Sequence, residues 1–236
     1  MRPRTEIIEM GLHSRWKFFM RVGQTLSLYG ILRTLPLALA EIYFEIILQS
    51  KTGRIVRLDE LNVDGSVSDH GHMYVPCPYY FIYQAFKKIS VYIQGATFID
   101  YGCGLGRVLF IATRYPFRRI IGIEASPNLS QEAVDNLTEF YARKSLKTPE
   151  WEIVQHDATT YAVPEDATVF FFNDPFDETV MNPVISRICN SQDKAPRDIF
   201  AVYVNPGHPD IFIDHGFIKM ETTVNKHNKG FIIYRR

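Results

Sequence analysis

Three cysteines among 236 residues, Cys77, Cys103 and Cys189, leave little material for a disulfide framework. Their number is odd, their spacing is wide and no C-x-x-C pair is present. That suits a reducing compartment and argues against structural zinc. An excess of one charge is missing too: 26 basic residues face 26 acidic ones, so no overall basic field points to nucleic acid. No combination of positive charge, apolar run and small residues resembles a signal peptide. The most apolar stretch, residues 25–48, has nearly the length of a bilayer span. It carries Arg33, Glu41 and Glu45, each costly at mid-membrane depth, and Pro36, which is expected to kink a continuous helix. His70 and His72 have no further histidine or carboxylate at ligand spacing, so no metal site is expected. A cytoplasmic location is the expectation.

What is present describes an ordered globular protein, 46% apolar and 22% charged. A chain of this length is expected to bury roughly 70% of its unfolded surface, as one domain with or without an appended segment. With 17 phenylalanines and 13 tyrosines the chain is unusually aromatic, and some of these rings are expected to line a cleft. Residues 5–22 place Ile7, Ile8, Leu12, Trp16, Phe19 and Met20 near helical spacing, with basic residues outnumbering Glu6 and Glu9. Residues 1–50 are therefore expected to form a helical extension capping the domain. A membrane-surface amphipathic helix, giving peripheral membrane contact through 5–48, and a dimer face are the other readings. Residues 51–78 read as a loop-rich connection rich in glycine, aspartate and proline, and 79–236 as the main domain.

The chain is organised around residues 98–107, F-I-D-Y-G-C-G-L-G-R, and I-I-G-I-E-A-S from Ile120. The first reads as a buried strand ending at Asp100, a turn with Gly102, Gly104 and Gly106, then a helix. Glycine admits backbone angles and close ligand approach that a side chain would block. Cys103 sits where that turn needs a small side chain. The second stretch is another buried strand with Glu124 at its C-terminal end, where a carboxylate can accept hydrogen bonds from a vicinal diol. A dinucleotide fingerprint G-x-G-x-x-G would need glycine at Arg107, so the spacing disfavours NAD.

D-Y-G-C-G-L-G together with Glu124 resembles the cofactor site of class I S-adenosylmethionine-dependent methyltransferases, over about residues 70–236. The resemblance implies an α/β, Rossmann-like fold: a mostly parallel seven-stranded sheet with helices on both faces and the last strand antiparallel. It also implies S-adenosyl-L-methionine as cofactor, held by Asp100, Tyr101, Gly102, Cys103, Gly104, Gly106, Glu124, Ala125, Asp157 and Ala158. The methionine moiety would lie near Asp100, the ribose at Glu124 and the adenine near Asp157. Tyr74 and Pro76, in G-H-M-Y-V-P-C-P-Y-Y, resemble an element that helps form the pocket in such enzymes. Asp157 also reads as a cap on the turn that follows it, and Tyr74 as part of a rigid aromatic loop.

The apolar strand V-F-F-F at 169–172 runs into Asn173-Asp174-Pro175-Phe176. This looks like the N/D-P-P-Y/F tetrapeptide of amino-nitrogen methyltransferases, with Asp174 replacing the first proline. On that likeness Asn173 would orient an attacking amine and also border the cofactor. Phe176 would pack beside the nitrogen, and Asp174 is a conceivable proton acceptor. The plain alternative is a turn leading the chain away from the sheet. Y-x-P, D-x-G-x-G-x-G-R, Pro-Phe-Arg-Arg, G-x-E-x-S and N-x-P-F together resemble a bacterial group distantly similar to protein-lysine methyltransferases. The acceptor on this reading is a protein amine or a small molecule; oxygen acceptors and a non-catalytic binding protein are the alternatives, and nucleic acid is not expected. A helix is expected over 79–93, another over 130–145, and a third from about 178 to 189 in which Pro183 suggests a late start or a kink.

Overall fold

The computed structural model describes residues 31–47, 50–57, 73–143, 148 and 150–236. Among these the strands β1 (Thr97–Tyr101), β2 (Arg119–Glu124), β3 (Glu150–Gln155), β4 (Ala167–Phe172), β5 (Phe200–Val204), β6 (Ile218–Thr222) and β7 (Phe231–Arg235) form one sheet. Its order is β3-β2-β1-β4-β5-β7-β6. The first five strands are parallel, and β7 runs antiparallel between β5 and β6. This is the Rossmann-like class I methyltransferase fold, with a helical extension ahead of it.

The apolar runs of the central strands have a simple cause. Successive side chains point to opposite faces, and here both faces are covered. Phe98, Val169 and Phe171 enter one core with helices α2 (Tyr79–Lys88), α3 (Ser90–Ile93), α4 (Arg107–Ala112) and α5 (Pro127–Arg143). Ile99, Tyr101, Phe170 and Phe172 enter the other, with α6 (Glu178–Lys194) and α7 (Ile211–Asp214). Phe86 of α2 anchors the first, its ring 5.4 Å from Phe98, 5.2 Å from Tyr115 and 5.8 Å from Phe117.

Boundaries differ from the sequence expectation where caps decide them. The helix expected from 130 starts at Pro127, a residue pre-set for the first helical position. Ser126 Oγ accepts from Leu129 N at 3.4 Å just ahead of it. Pro183 neither delays nor ends α6, which starts at Glu178 because Asp177 Oδ1 accepts from both Thr179 N and Val180 N. The helix expected over 79–93 is two pieces, separated at Ile89.

The extension is described from Ile31 onward; residues 5–22 lie outside the described residues, as do His70 and His72. Helix α1 (Ile31–Ile42) runs through Pro36 into a π-helical turn, Tyr43–Ile47. Leu37 and Phe44 are buried in the first core. Leu35, Leu39, Ile42 and Tyr43 are exposed. No helix among the described residues is long and apolar enough to cross a membrane.

Candidate functional site

At the C-terminal edge of the sheet, β1 delivers Asp100, β2 Glu124 and β4 Asn173, all within three adjacent parallel strands. The glycine turn is pinned between them. Gly102 N and Cys103 N both donate to Ile123 O, at 2.9 and 3.0 Å, and Gly106 N donates to Cys103 O at 2.9 Å. Gly102, Gly104 and Gly106 have φ of 70°, 53° and 83°, angles that L side chains rarely adopt.

Glu124 shapes this turn itself. Its Oε2 accepts from Gly104 N and its Oε1 from Ser126 N, each at 2.9 Å. Burial raises its carboxyl pKa, against the lowering effect of the Ser126, Gly104 and Ala125 amides. The carboxylate expected to bind a diol is thus also the fastening that joins the turn to β2. Each oxygen keeps a further lone pair for an incoming hydroxyl.

Asp100 is in the opposite condition. It is 2% exposed, and its buried Oδ2 has no hydrogen-bond partner among the described residues. Burial first, and the charge of Glu124 second, push its carboxyl well above the ordinary carboxylate range. A buried acid of this kind calls for a cation or a donor.

The room the glycines leave is used by this chain's own residues. A Cβ at Gly104 would lie 2.2 Å from Tyr74 Cδ2 and Cε2, so the Tyr74 ring stands on the turn. A Cβ at Gly102 would lie 2.8 Å from Pro175 Cβ and 3.7 Å from Phe176 Cζ. N-D-P-F and the glycine turn, far apart in sequence, are therefore in contact. Gly122 of β2 meets the turn from below, where a Cβ would come within 2.7 Å of Cys103 Sγ and Leu109 Cδ1.

Asn173 Nδ2 donates to Val75 O at 3.0 Å, and its Oδ1 accepts from Asn205 Nδ2 at 3.4 Å. Asp174, at φ 45°, has its Oδ1 taken by Tyr203 Oη at 2.6 Å and Gly207 N at 3.0 Å. Asn205, at φ 50°, leaves its Oδ1 buried and without a partner among the described residues. The loop after β5 and the loop after β4 thus form one unit. Tyr203-Val204-Asn205-Pro206 resembles the same bacterial group in sequence, but no local pattern pairs Tyr203 with Asp174, 29 residues earlier.

Other expected residues are placed less centrally. Tyr101 is stacked on Phe172, with ring centroids 5.2 Å apart, and buried in the second core, so only its backbone reaches the turn. Asp157 Oδ1 accepts from Thr159 N and Oγ1, both at 2.8 Å, which is the turn-capping geometry. Ala158 is buried beside it, and Ala125 is half-buried after Glu124. Among the described residues no cluster of histidine, cysteine and acidic side chains is arranged for a metal.

The residue that sequence reading undervalued is Arg107, the first residue of α4. Its guanidinium is buried, with Nη1 2.7 Å from Glu41 Oε2 and Nη2 2.9 Å from Glu45 Oε1. Its Nε donates to Thr52 Oγ1 at 3.1 Å, its Nη1 also to Cys77 O at 3.2 Å, and its Cζ lies 4.1 Å from the Tyr79 ring centroid. The two acids that speak against a bilayer span are spent on this arginine.

No protein-family model matches the chain, and no curated protein does. Among solved structures it is similar to an RNA methyltransferase from Salinibacter ruber in complex with S-adenosyl-L-homocysteine, at 18% identity and a TM-score of 0.44. That alignment covers 68% of this chain and 92% of the other. It is also similar to magnesium protoporphyrin IX methyltransferase from Synechocystis PCC 6803 with bound S-adenosylmethionine. There the identity is 14% and the TM-score 0.45, covering 85% of this chain and 95% of the other. Neither likeness links the chain specifically to protein-lysine methylation, and the fold rests on the strand order described above.

Proposed function

We propose that the chain is an S-adenosyl-L-methionine-dependent methyltransferase whose acceptor atom is an amine nitrogen of a protein side chain or a small molecule. The observation that carries the cofactor reading is Asp100: a buried carboxylate oxygen with no partner among the described residues, at the mouth of a turn built from three left-handed glycines. The α-ammonium of the methionine moiety is the cation such an oxygen lacks. Glu124, already fixed by two backbone amides, has lone pairs left for the ribose hydroxyls. Asp157 keeps Oδ2 for the adenine amino group while Oδ1 caps its own turn.

The bound cofactor would supply an electrophilic methyl group on a sulfonium. The chain's own residues then have three tasks. Asn173, at the end of β4, presents its carbonyl oxygen to an N–H of the acceptor in place of the long contact with Asn205. Phe176, beside Gly102, walls the methyl path from water and offers its ring face to the charge that develops on nitrogen. Asp174 fastens the two loops through Tyr203 and Gly207 and is not the proton acceptor in this proposal. An amine acceptor would form the C–N bond with its lone pair as the C–S bond breaks. The C–S electron pair would stay on sulfur, and the amine proton would leave to water.

The test is equilibrium binding of S-adenosyl-L-methionine against NAD, then incubation with methyl-labelled cofactor and fractionated cell lysate. Binding of the first alone, with an N-methylated product by mass spectrometry, is expected. Label released as methanol by mild alkali would identify a carboxylate acceptor and overturn the amine reading. Absence of binding would overturn the whole proposal.

A further inference from the structure

We propose that Arg107 is a positioning residue for the glycine turn, and that the α1 extension is the latch that holds it, so that cofactor affinity depends on the docking of the extension. This rests on the methyltransferase reading for the identity of the ligand. The contacts themselves form a closed circuit. Arg107 follows Gly106 directly and opens α4, so its backbone continues the turn. Its side chain reaches back to Thr52 Oγ1. Thr52 O accepts from Tyr74 Oη at 2.9 Å, and the Tyr74 ring stands on Gly104. Two backbone hydrogen bonds between Val56 and Tyr74, at 3.1 and 3.0 Å, keep the two passing segments side by side.

The extension closes the circuit from outside. Glu41 and Glu45 are four residues apart, on one face of α1 and its π-helical turn, and both carboxylates pair with the one buried guanidinium. Glu45 Oε1 also accepts from Ser50 Oγ at 2.8 Å, Thr52 Oγ1 at 2.9 Å and Tyr79 Oη at 3.2 Å. Glu41 Oε1 accepts from Tyr79 N, at the first turn of α2. Undocking α1 would leave Arg107 as an uncompensated charge in the core, which it escapes only by moving toward water. Thr52 and Tyr74 then lose their hold on the turn. A plain ion pair for stability needs neither the Thr52 contact nor the Tyr74 contact.

The two roles separate by experiment on the full chain. Glu45→Gln is nearly isosteric and removes the charge; Tyr74→Phe keeps the ring and removes the link to Thr52. S-adenosyl-L-homocysteine is the probe, titrated by calorimetry. Each variant is expected to bind it about tenfold more weakly, the upper weight of one ordinary hydrogen bond. The double variant is expected to bind no more weakly than about the worse single one, because both act on one path. Without ligand, hydrogen exchange at the Tyr74 amide in Glu45→Gln should quicken about tenfold. Wild-type affinity in both variants, whatever their melting temperatures, overturns the latch. A wild-type chain that fails to bind the probe overturns the methyltransferase reading instead, and the exchange rates still decide whether Glu45 holds Tyr74. Should Glu45→Gln not fold, Thr52→Val replaces it, with the same expected loss and the same overturning result.

Discussion

Replacing Asp100 by Asn should make the ligand-free protein more stable and a worse binder. The wild-type carboxylate is 2% exposed and has an oxygen without a partner among the described residues. Leaving a buried polar group unsatisfied costs about 1–3 kcal/mol, and more when it is charged. The amide has nearly the same shape and no charge, so most of that penalty disappears at neutral pH. For a chain of this size each kcal/mol moves the melting temperature by roughly 2–4 °C, so a rise of about 2–12 °C is expected. The pH dependence follows from the sign of the shift. Asp100 is raised in the folded state, so protonation favours folding. Its favourable contribution is complete below the unfolded value near about 4 and is lost as pH rises through the folded value. Wild-type stability should therefore fall more steeply than that of the variant as pH rises through that window. Thermal melts of both proteins across that range, with parallel S-adenosyl-L-methionine titrations, check this. A variant that melts lower than wild type at pH 7, with the same pH slope, refutes the reasoning.

Gly104→Ala should both destabilise and weaken cofactor binding. A residue with a side chain at φ 53° costs about 1–2 kcal/mol, and the new Cβ displaces Tyr74; melting and calorimetry on one preparation read both effects. Tyr203→Phe should lose about 1–3 kcal/mol by urea unfolding, because Asp174 loses its 2.6 Å donor while the Gly207 and His208 amides lose an acceptor. Its cofactor affinity should stay unchanged, since no cofactor contact is assigned to Tyr203.

The placement of the candidate site was legible because strands announce their own ends. An apolar run that stops at Asp100, Glu124 or Asn173 marks the C-terminal edge of a parallel sheet without any knowledge of contacts. The glycine turn was legible for the same local reason. Arg107 was not, since its meaning depends on Glu41 and Glu45, 66 and 62 residues earlier, and no local pattern pairs them. Tyr101 was misleading: period-2 alternation sends it to the core, opposite to Asp100, although it stands inside the motif. Asp157 supports two readings because one carboxylate has two oxygens, and the structure assigns only Oδ1. Pro183 misled because a cap outweighs a missing amide in the second turn of a helix.

The place of β7 has a consequence for how the molecule comes off the ribosome. Strand β6 is made before β7 yet pairs with β7 alone, so it waits unpartnered, its Lys219 and Glu221 keeping that bare edge from joining other chains. The loop after β5 waits as well, because Asn205 N donates to Gly230 O, which is translated later still. The hydrogen bonds that pin the glycine turn, by contrast, all fall between residues 102 and 126. Vectorial synthesis therefore supplies every partner of those bonds early, whereas the loop that carries Asn205 and Gly207 closes only when β7 pairs with β5.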